Sequence, residues 1–135
     1  LPTKIVPAKA ESLDEVIEFI SAQAEALEFA PKRVFEIQLA VEEAFVNIAN
    51  YAYPDKDGSV EVSCETDGRG ALVITLIDSG LAFDLLSASA PTLEDDVSQR
   101  EVGGLGIFLI KKVMDDVSYK RLDGKNVLTL TAGQR

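Results

Sequence analysis

The sequence contains no histidine, a single cysteine, few basic residues and no long apolar run. Without histidine there is no serine–histidine triad, no histidine-ligated zinc and no phospho-accepting histidine within the chain. A catalytic base must then be a carboxylate, lysine or tyrosine. Cys64 has no partner for an intrachain disulfide, and its alternating surroundings read as those of a small core residue. A membrane-spanning helix needs about 20 consecutive apolar residues, and none of that length occurs, so no membrane partner is expected. The opening Leu1-Pro2-Thr3-Lys4 carries no apolar signal segment. The expected compartment is therefore a reducing cytoplasm. Basic residues number 13 against 23 acidic ones, a formal net charge of −10. Such a balance repels phosphate backbones and no basic stripe offsets it locally, so direct nucleic-acid binding is not expected. The acidic surface otherwise reads as a solubility feature.

What is present fits one globular domain over residues 1–135, with 47% hydrophobic and 27% charged residues. Thr3–Pro7 reads as an edge strand ended by its proline. Ser12-Leu13-Asp14-Glu15 has the form of a capping box. Behind it, Leu13, Ile17, Ile20, Ala24 and Leu27 recur at helical steps and give one helix with one buried face.

Pro31 suits the first turn of a second helix running to about Ala52, before Pro54. Ile37, Val41, Ala44, Phe45 and Ile48 form its main apolar face, and Leu39 and Val46 a second patch. Between them runs a polar stripe of Glu36, Glu43, Asn47 and Asn50. A helix apolar on two sides is largely enclosed, so this stripe is expected to face a cavity.

Ser59–Thr66 alternates, with Val60, Val62 and Cys64 on one side. Asp67-Gly68-Arg69-Gly70 is turn chemistry, and residues 71–77 are an apolar strand that completes a hairpin. Residues 79–102 show no period, and a loop of that length usually carries function, often as a lid. A glycine-led helix follows over 103–115. Strands at 117–121 and 126–131 then form a second hairpin about Asp123-Gly124. Helices and hairpins are segregated along the chain. That order implies an α+β fold, an antiparallel-rich sheet covered by helices on one face.

Three segments carry chemistry-bearing residues. Glu43 and Asn47, four apart on the second helix, project side by side. An amide oxygen can ligate Mg²⁺, and a nearby carboxylate can take a proton from an attacking hydroxyl. The same pair alone would also suit an ordinary solvated helix face. Asp78-Ser79-Gly80-Leu81-Ala82-Phe83-Asp84 follows directly on an apolar strand. There an aspartate can accept a hydrogen bond from an adenine amino group, and Gly80 would let the backbone approach the base. Alternatively the segment is a plain strand-to-loop turn. Gly103-Gly104-Leu105-Gly106 opens the third helix, where bare N–H groups and the dipole attract phosphate. It matches neither GxxxxGK[ST] nor G-x-G-x-x-G, and helix packing alone would also explain its glycines.

Taken together, in this order and spacing, the three segments resemble the N, G1 and G2 boxes of the GHKL (histidine-kinase-like) ATPase superfamily. Within it the chain is most similar to the anti-sigma-factor serine/threonine protein kinases. The resemblance extends over essentially the whole chain, including Gly124-Lys125-Asn126-Val127-Leu128-Thr129-Leu130. It implies a two-layer α/β sandwich with a mixed, mostly antiparallel sheet and an ATP lid at about 81–102. It implies ATP and Mg²⁺ as cofactors, Glu43 as the catalytic glutamate, Asn47 as the Mg²⁺ ligand, and Asp78 with Gly80 at the adenine. Gly103, Gly104, Leu105, Gly106 and Ile107 would form the phosphate loop, with Arg100 just before it reaching a terminal phosphate and Thr129 assisting at the base. Ala82 stands where many members carry a second glycine. If its backbone had to be left-handed, the strain would be about 1–2 kcal/mol.

The implied activity is a partner switch, in which the kinase sequesters a sigma factor or similar regulator and phosphorylates a serine of an anti-anti-sigma antagonist. Two rival functions are a nucleotide-binding interaction module without kinase activity and the catalytic domain of a sensor histidine kinase. An exposed edge at Thr3–Pro7 would also permit a homodimer.

Overall fold

The structure, a computed structural model, describes residues 2–83 and 107–134 in full and residues 104–106 as helix backbone. Its elements run β1 (Thr3–Pro7), α1 (Leu13–Ala26), α2 (Pro31–Tyr51), β2 (Ser59–Thr66), β3 (Leu72–Asp78), α3 (Gly104–Val113), β4 (Asp116–Leu122) and β5 (Lys125–Ala132). The strands form one sheet in the order β1-β2-β3-β5-β4, and every pairing is antiparallel. Helices cover one face of it, as the segregated order of elements predicted. No described helix is long and apolar enough to cross a membrane.

Pro31 occupies the first turn of α2 behind an extended Ala30. The proline sits where a missing N–H leaves no helical bond unmade. The face predicted for α2 is buried throughout: Ile37, Val41, Ala44, Phe45 and Ile48. Leu39 and Val46 are only half-buried, so the helix is not closed on its second side. Its polar stripe therefore divides. Asn47 is buried, Glu36 and Glu43 are half-buried, and Asn50 is exposed.

The capping box at Ser12 does not form. A short 3-10 turn, Ala10–Ser12, leads into α1, and Ser12 is helical in backbone (φ −85, ψ −8) with no side-chain cap bond. A residue already in helical conformation cannot turn its hydroxyl onto the next N–H groups as an extended N-cap residue does. The buried line of α1 also turns toward Val16, Ile20 and Ala24, leaving Leu13, Ile17 and Leu27 at its margin.

Both hairpins follow their turn residues. Asp67 Oδ1 accepts hydrogen bonds from the N–H groups of Arg69 (2.8 Å) and Ala71 (3.2 Å), drawing the β2–β3 loop together. Asp123 (φ 52) and Gly124 (φ 76) are both left-handed, the two-residue geometry that suits the twist of β4 and β5. Arg33, although charged, is only 2% exposed. Its Nε donates to the Gly133 carbonyl (2.8 Å) and its Nη1 to Glu36 (2.9 Å) and to the Val113 carbonyl. Nη2 lies 3.5 Å from the Asp115 carboxylate. One side chain thus ties the start of α2 to the ends of α3 and β5, which is how a buried charge is tolerated. Cys64 is buried as expected, and burial pushes its thiol up to about 12.

Strand alternation creates the polar end of the core. On the inner face of β3, Leu72, Ile74 and Leu76 form an apolar row that ends at buried Asp78. On β5 the inner row Ala132, Leu130, Leu128 ends at buried Asn126, and Asp78 and Asn126 are direct partners in register. Two apolar rows therefore terminate side by side in polar groups beneath α2.

Candidate functional site

A cleft opens at that point, lined by Ala44, Asn47, Ile48, Ala52, Asp78, Phe83, Tyr119, Asn126 and Leu128. Its walls are mostly apolar with a few convergent polar side chains, the usual make-up of a small-molecule site. It measures about 360 Å³ out to its mouth, but leaves a water-sized molecule only about 20 Å³ in which to move. Phe83 narrows it, stacked on Tyr51 with ring centroids 5.9 Å apart and planes at 28°.

Asp78, 4% exposed, is held in this setting by hydrogen bonds. Its Oδ1 accepts from the N–H of Gly80 (2.9 Å) and from Nδ2 of Asn126 (2.9 Å). Oδ2 accepts no hydrogen bond from the described residues. Asn47, one wall away on α2, donates Nδ2 to the main-chain carbonyl of Glu43 (2.8 Å). Its Oδ1 is left as the group it offers to the cleft. Glu43 is half-buried one turn earlier on α2 and is not part of the cleft wall. Burial, and secondarily the charge of Glu42, raise its carboxyl above the ordinary 4.5.

Gly80 has a packing role in addition to the one expected at a ligand. Its φ is not positive, and a Cβ there would stand 2.2 Å from the Ala52 carbonyl oxygen. Leu81 N–H donates to that same carbonyl at 2.8 Å. Glycine is required because the segment after β3 presses against the end of α2. Among the described residues the non-glycine positions with positive φ are Glu28 and Asp123, so Ala82 bears no left-handed strain. Ala82 is exposed and lines a neighbouring cleft with Lys56 and Arg121 rather than the one at Asp78.

Thr129 does not reach the site. It pairs with Thr75 of β3 and Ser118 of β4 on the outer face of the sheet, away from the helices. The position at the cleft is Asn126, three residues earlier. Strict alternation along 126–131 already places Asn126, Leu128 and Leu130 together and Thr129 opposite. Ile107 packs in the hydrophobic core, 2% exposed, so only its backbone is left for a ligand. Gly104, Leu105 and Gly106 lie in the first turn of α3. Arg100, Gly103 and most of the 81–102 lid lie outside the described residues.

Other groups around the cleft carry no motif and were not singled out from the sequence. Tyr53 donates to the Ser59 carbonyl (2.8 Å) and accepts from Ser79 N–H (2.7 Å), fixing the end of β3 against the start of β2. Arg121 donates from Nη1 to the Gly80 carbonyl (2.8 Å), and Tyr119 donates its hydroxyl to Asn126 Oδ1 (2.6 Å).

Over residues 6–132 the chain matches the histidine kinase-like ATPase domain. It is 30% identical over 132 residues to a serine-protein kinase RsbW of Oceanobacillus iheyensis, covering 91% of this chain and 80% of that protein. A serine/threonine-protein kinase BtrW of Bordetella bronchiseptica is 31% identical over 99 residues, 73% of this chain and 69% of its own. A serine-protein kinase RsbW of Bacillus cereus is 28% identical over 134 residues, 96% of this chain and 83% of its own. With Asp78 and Asn47 meeting at one buried cleft in an antiparallel sheet-and-helix fold, the chain belongs to the histidine kinase-like ATPase family and groups with its serine-protein kinases.

Proposed function

We propose that this chain is an ATP-dependent serine/threonine protein kinase that works as an anti-sigma regulatory factor. It would phosphorylate a serine of an anti-anti-sigma antagonist and, when free of it, hold a sigma factor or similar regulator. The observation that carries the nucleotide part is Asp78. It is a buried carboxylate with one oxygen saturated and the other facing an apolar cleft. That is an acceptor placed for an exocyclic amino group, with Ala44, Ile48 and Leu128 to cover a flat ring. Base entry displaces Phe83 from its stack on Tyr51, since the present cleft is too narrow for a purine.

The chemistry of the polar groups fits the rest of the nucleotide. The amide bond from Asn47 to the Glu43 carbonyl leaves Oδ1 for a hard cation. Among the described residues no group of three or more His, Cys, Asp or Glu is gathered to hold a metal. Mg²⁺ would therefore take Asn47 Oδ1 together with phosphate oxygens and water, and when bound it would neutralise phosphate charge. The N-terminal turn of α3 would offer backbone N–H groups to the phosphates. Glu43, raised in pKa by burial, would orient or deprotonate the incoming serine hydroxyl. Positioning and electrostatics of this kind are how phosphoryl transfer is accelerated.

An interaction module that binds nucleotide without transfer is the alternative that the same cleft serves. Labelled ATP, offered with a candidate serine-bearing antagonist, separates the two. Label on a serine of the antagonist supports the kinase. Tight nucleotide binding with no transfer supports the interaction module.

A further inference from the structure

Asn126 is hydrogen-bonded on every side. Its Nδ2 donates to Asp78 Oδ1 (2.9 Å) and to the Leu81 carbonyl (2.7 Å). Its Oδ1 accepts from Tyr119 (2.6 Å), from Arg121 Nη1 (3.2 Å) and from the N–H of Phe83 (3.4 Å). The amide has one workable orientation. Turned over, it would aim its oxygen at a carboxylate and its N–H groups at a guanidinium. Tyr119 and Arg121 of β4 thus oblige Asn126 to present its donor side to Asp78.

This arrangement decides how many acceptors Asp78 shows to a ligand. With Gly80 N–H and Asn126 both on Oδ1, only Oδ2 remains. We propose that Asn126 is a positioning residue that sets base selectivity at this cleft, a role that rests on the nucleotide-site reading above. A single free oxygen matches adenine, which offers one exocyclic amino group on that edge. Guanine offers adjacent N1–H and 2-amino donors, which pair in parallel with both oxygens of a free carboxylate. Occupying Oδ1 denies guanine that two-point contact, leaving its 6-oxo group as a repulsive neighbour of the carboxylate. Discrimination of this kind arises as much from blocking the wrong partner as from binding the right one.

The test is calorimetric titration of Mg-ATP and Mg-GTP into the wild-type chain and into Asn126→Leu, which keeps the side-chain volume and removes every hydrogen bond. The ratio of ATP to GTP affinity is expected to fall roughly tenfold, the worth of one hydrogen bond to a charged group. Tyr119→Phe, which removes one donor from Asn126 Oδ1 and keeps the ring, is expected to move the ratio the same way by a smaller factor. It serves as the test if Asn126→Leu does not fold. A residue acting only through stability would weaken both nucleotides alike, so an unchanged ratio in the folded variant overturns the proposal. Asp78→Asn, titrated in parallel, separates the two levels. If it binds ATP as the wild type does, the site itself is misplaced. If it loses ATP while the ratio at Asn126 stays fixed, only the role of Asn126 fails.

Discussion

Asn47 donates its side-chain amide to the main-chain carbonyl of Glu43 at 2.8 Å, so the two residues are locked one turn apart on α2 with different tasks. The asparagine lines the cleft and the glutamate stands outside its wall. Glu43→Ala is therefore expected to leave ATP affinity within about twofold while lowering phosphoryl transfer by roughly 10²–10⁴, the usual worth of a general base. Titration of ATP alongside labelled transfer checks both halves. Lost nucleotide binding in this variant would place Glu43 in the binding site instead.

The environment of Glu43 sets a pH dependence. Burial first, and Glu42 second, hold its carboxyl above 4.5. A base that must be ionised then gives transfer an acidic limb centred above that value, and Glu42→Gln is expected to move the limb to lower pH. The folded state also holds this proton more tightly than the unfolded chain. Its contribution to stability is thus fully present below the ordinary value and is lost as pH rises through the raised one. Rate profiles of the two proteins decide the matter, and a limb unmoved by Glu42→Gln means that another group titrates.

Gly80→Ala drives a methyl group to 2.2 Å from the Ala52 carbonyl. The segment after β3 must lift off α2, breaking the Leu81–Ala52 hydrogen bond and shifting the N–H that holds Asp78. A loss of about 1–3 kcal/mol in unfolding free energy is expected from the overpacking, with weaker ATP binding. Urea denaturation reads the first and titration the second. Wild-type stability would mean that α2 gives way easily at its end.

Thr129→Val is expected to leave ATP affinity unchanged, because Thr129 belongs to the outer row with Thr75 and Ser118. Valine fits a pleated surface as well as threonine does. A drop in affinity would show that the outer face communicates with the cleft.

Much of this architecture was legible from periodicity. The inner faces of α2 and β2, the Asp123-Gly124 turn and the edge strand at Thr3–Pro7 all stand where alternation or helical spacing puts them. Asp78 stands out in the sequence as an aspartate closing an apolar strand in a segment that resembles a G1 box, and the structure sets it at the buried end of that strand. What failed is tertiary in origin. Ser12 has the residues of a capping box, but a 3-10 turn ahead of it removes the extended backbone the cap needs. Arg33 has one partner nearby in the chain, Glu36, but its burial rests on carbonyls 80 and 100 residues away, which no local pattern announces. Gly80 shows no local sign of the close approach of α2, which only the packed fold reveals. Thr129 is different: the family resemblance implies it at the base, yet alternation along β5 alone puts it on the outer face. Asn126 has the right parity, but nothing in a lone asparagine announces five hydrogen-bond partners.

Calorimetric titration of Mg-ATP into Asp78→Asn, with melting and circular dichroism to confirm the fold, decides whether Asp78 receives the adenine of ATP in the cleft beneath α2. A hydrogen bond to a charged group is worth about 1.5–3 kcal/mol, so affinity is expected to fall roughly tenfold or more with the fold intact. Unchanged ATP affinity in the folded variant would contradict the assignment of this cleft as the adenine site.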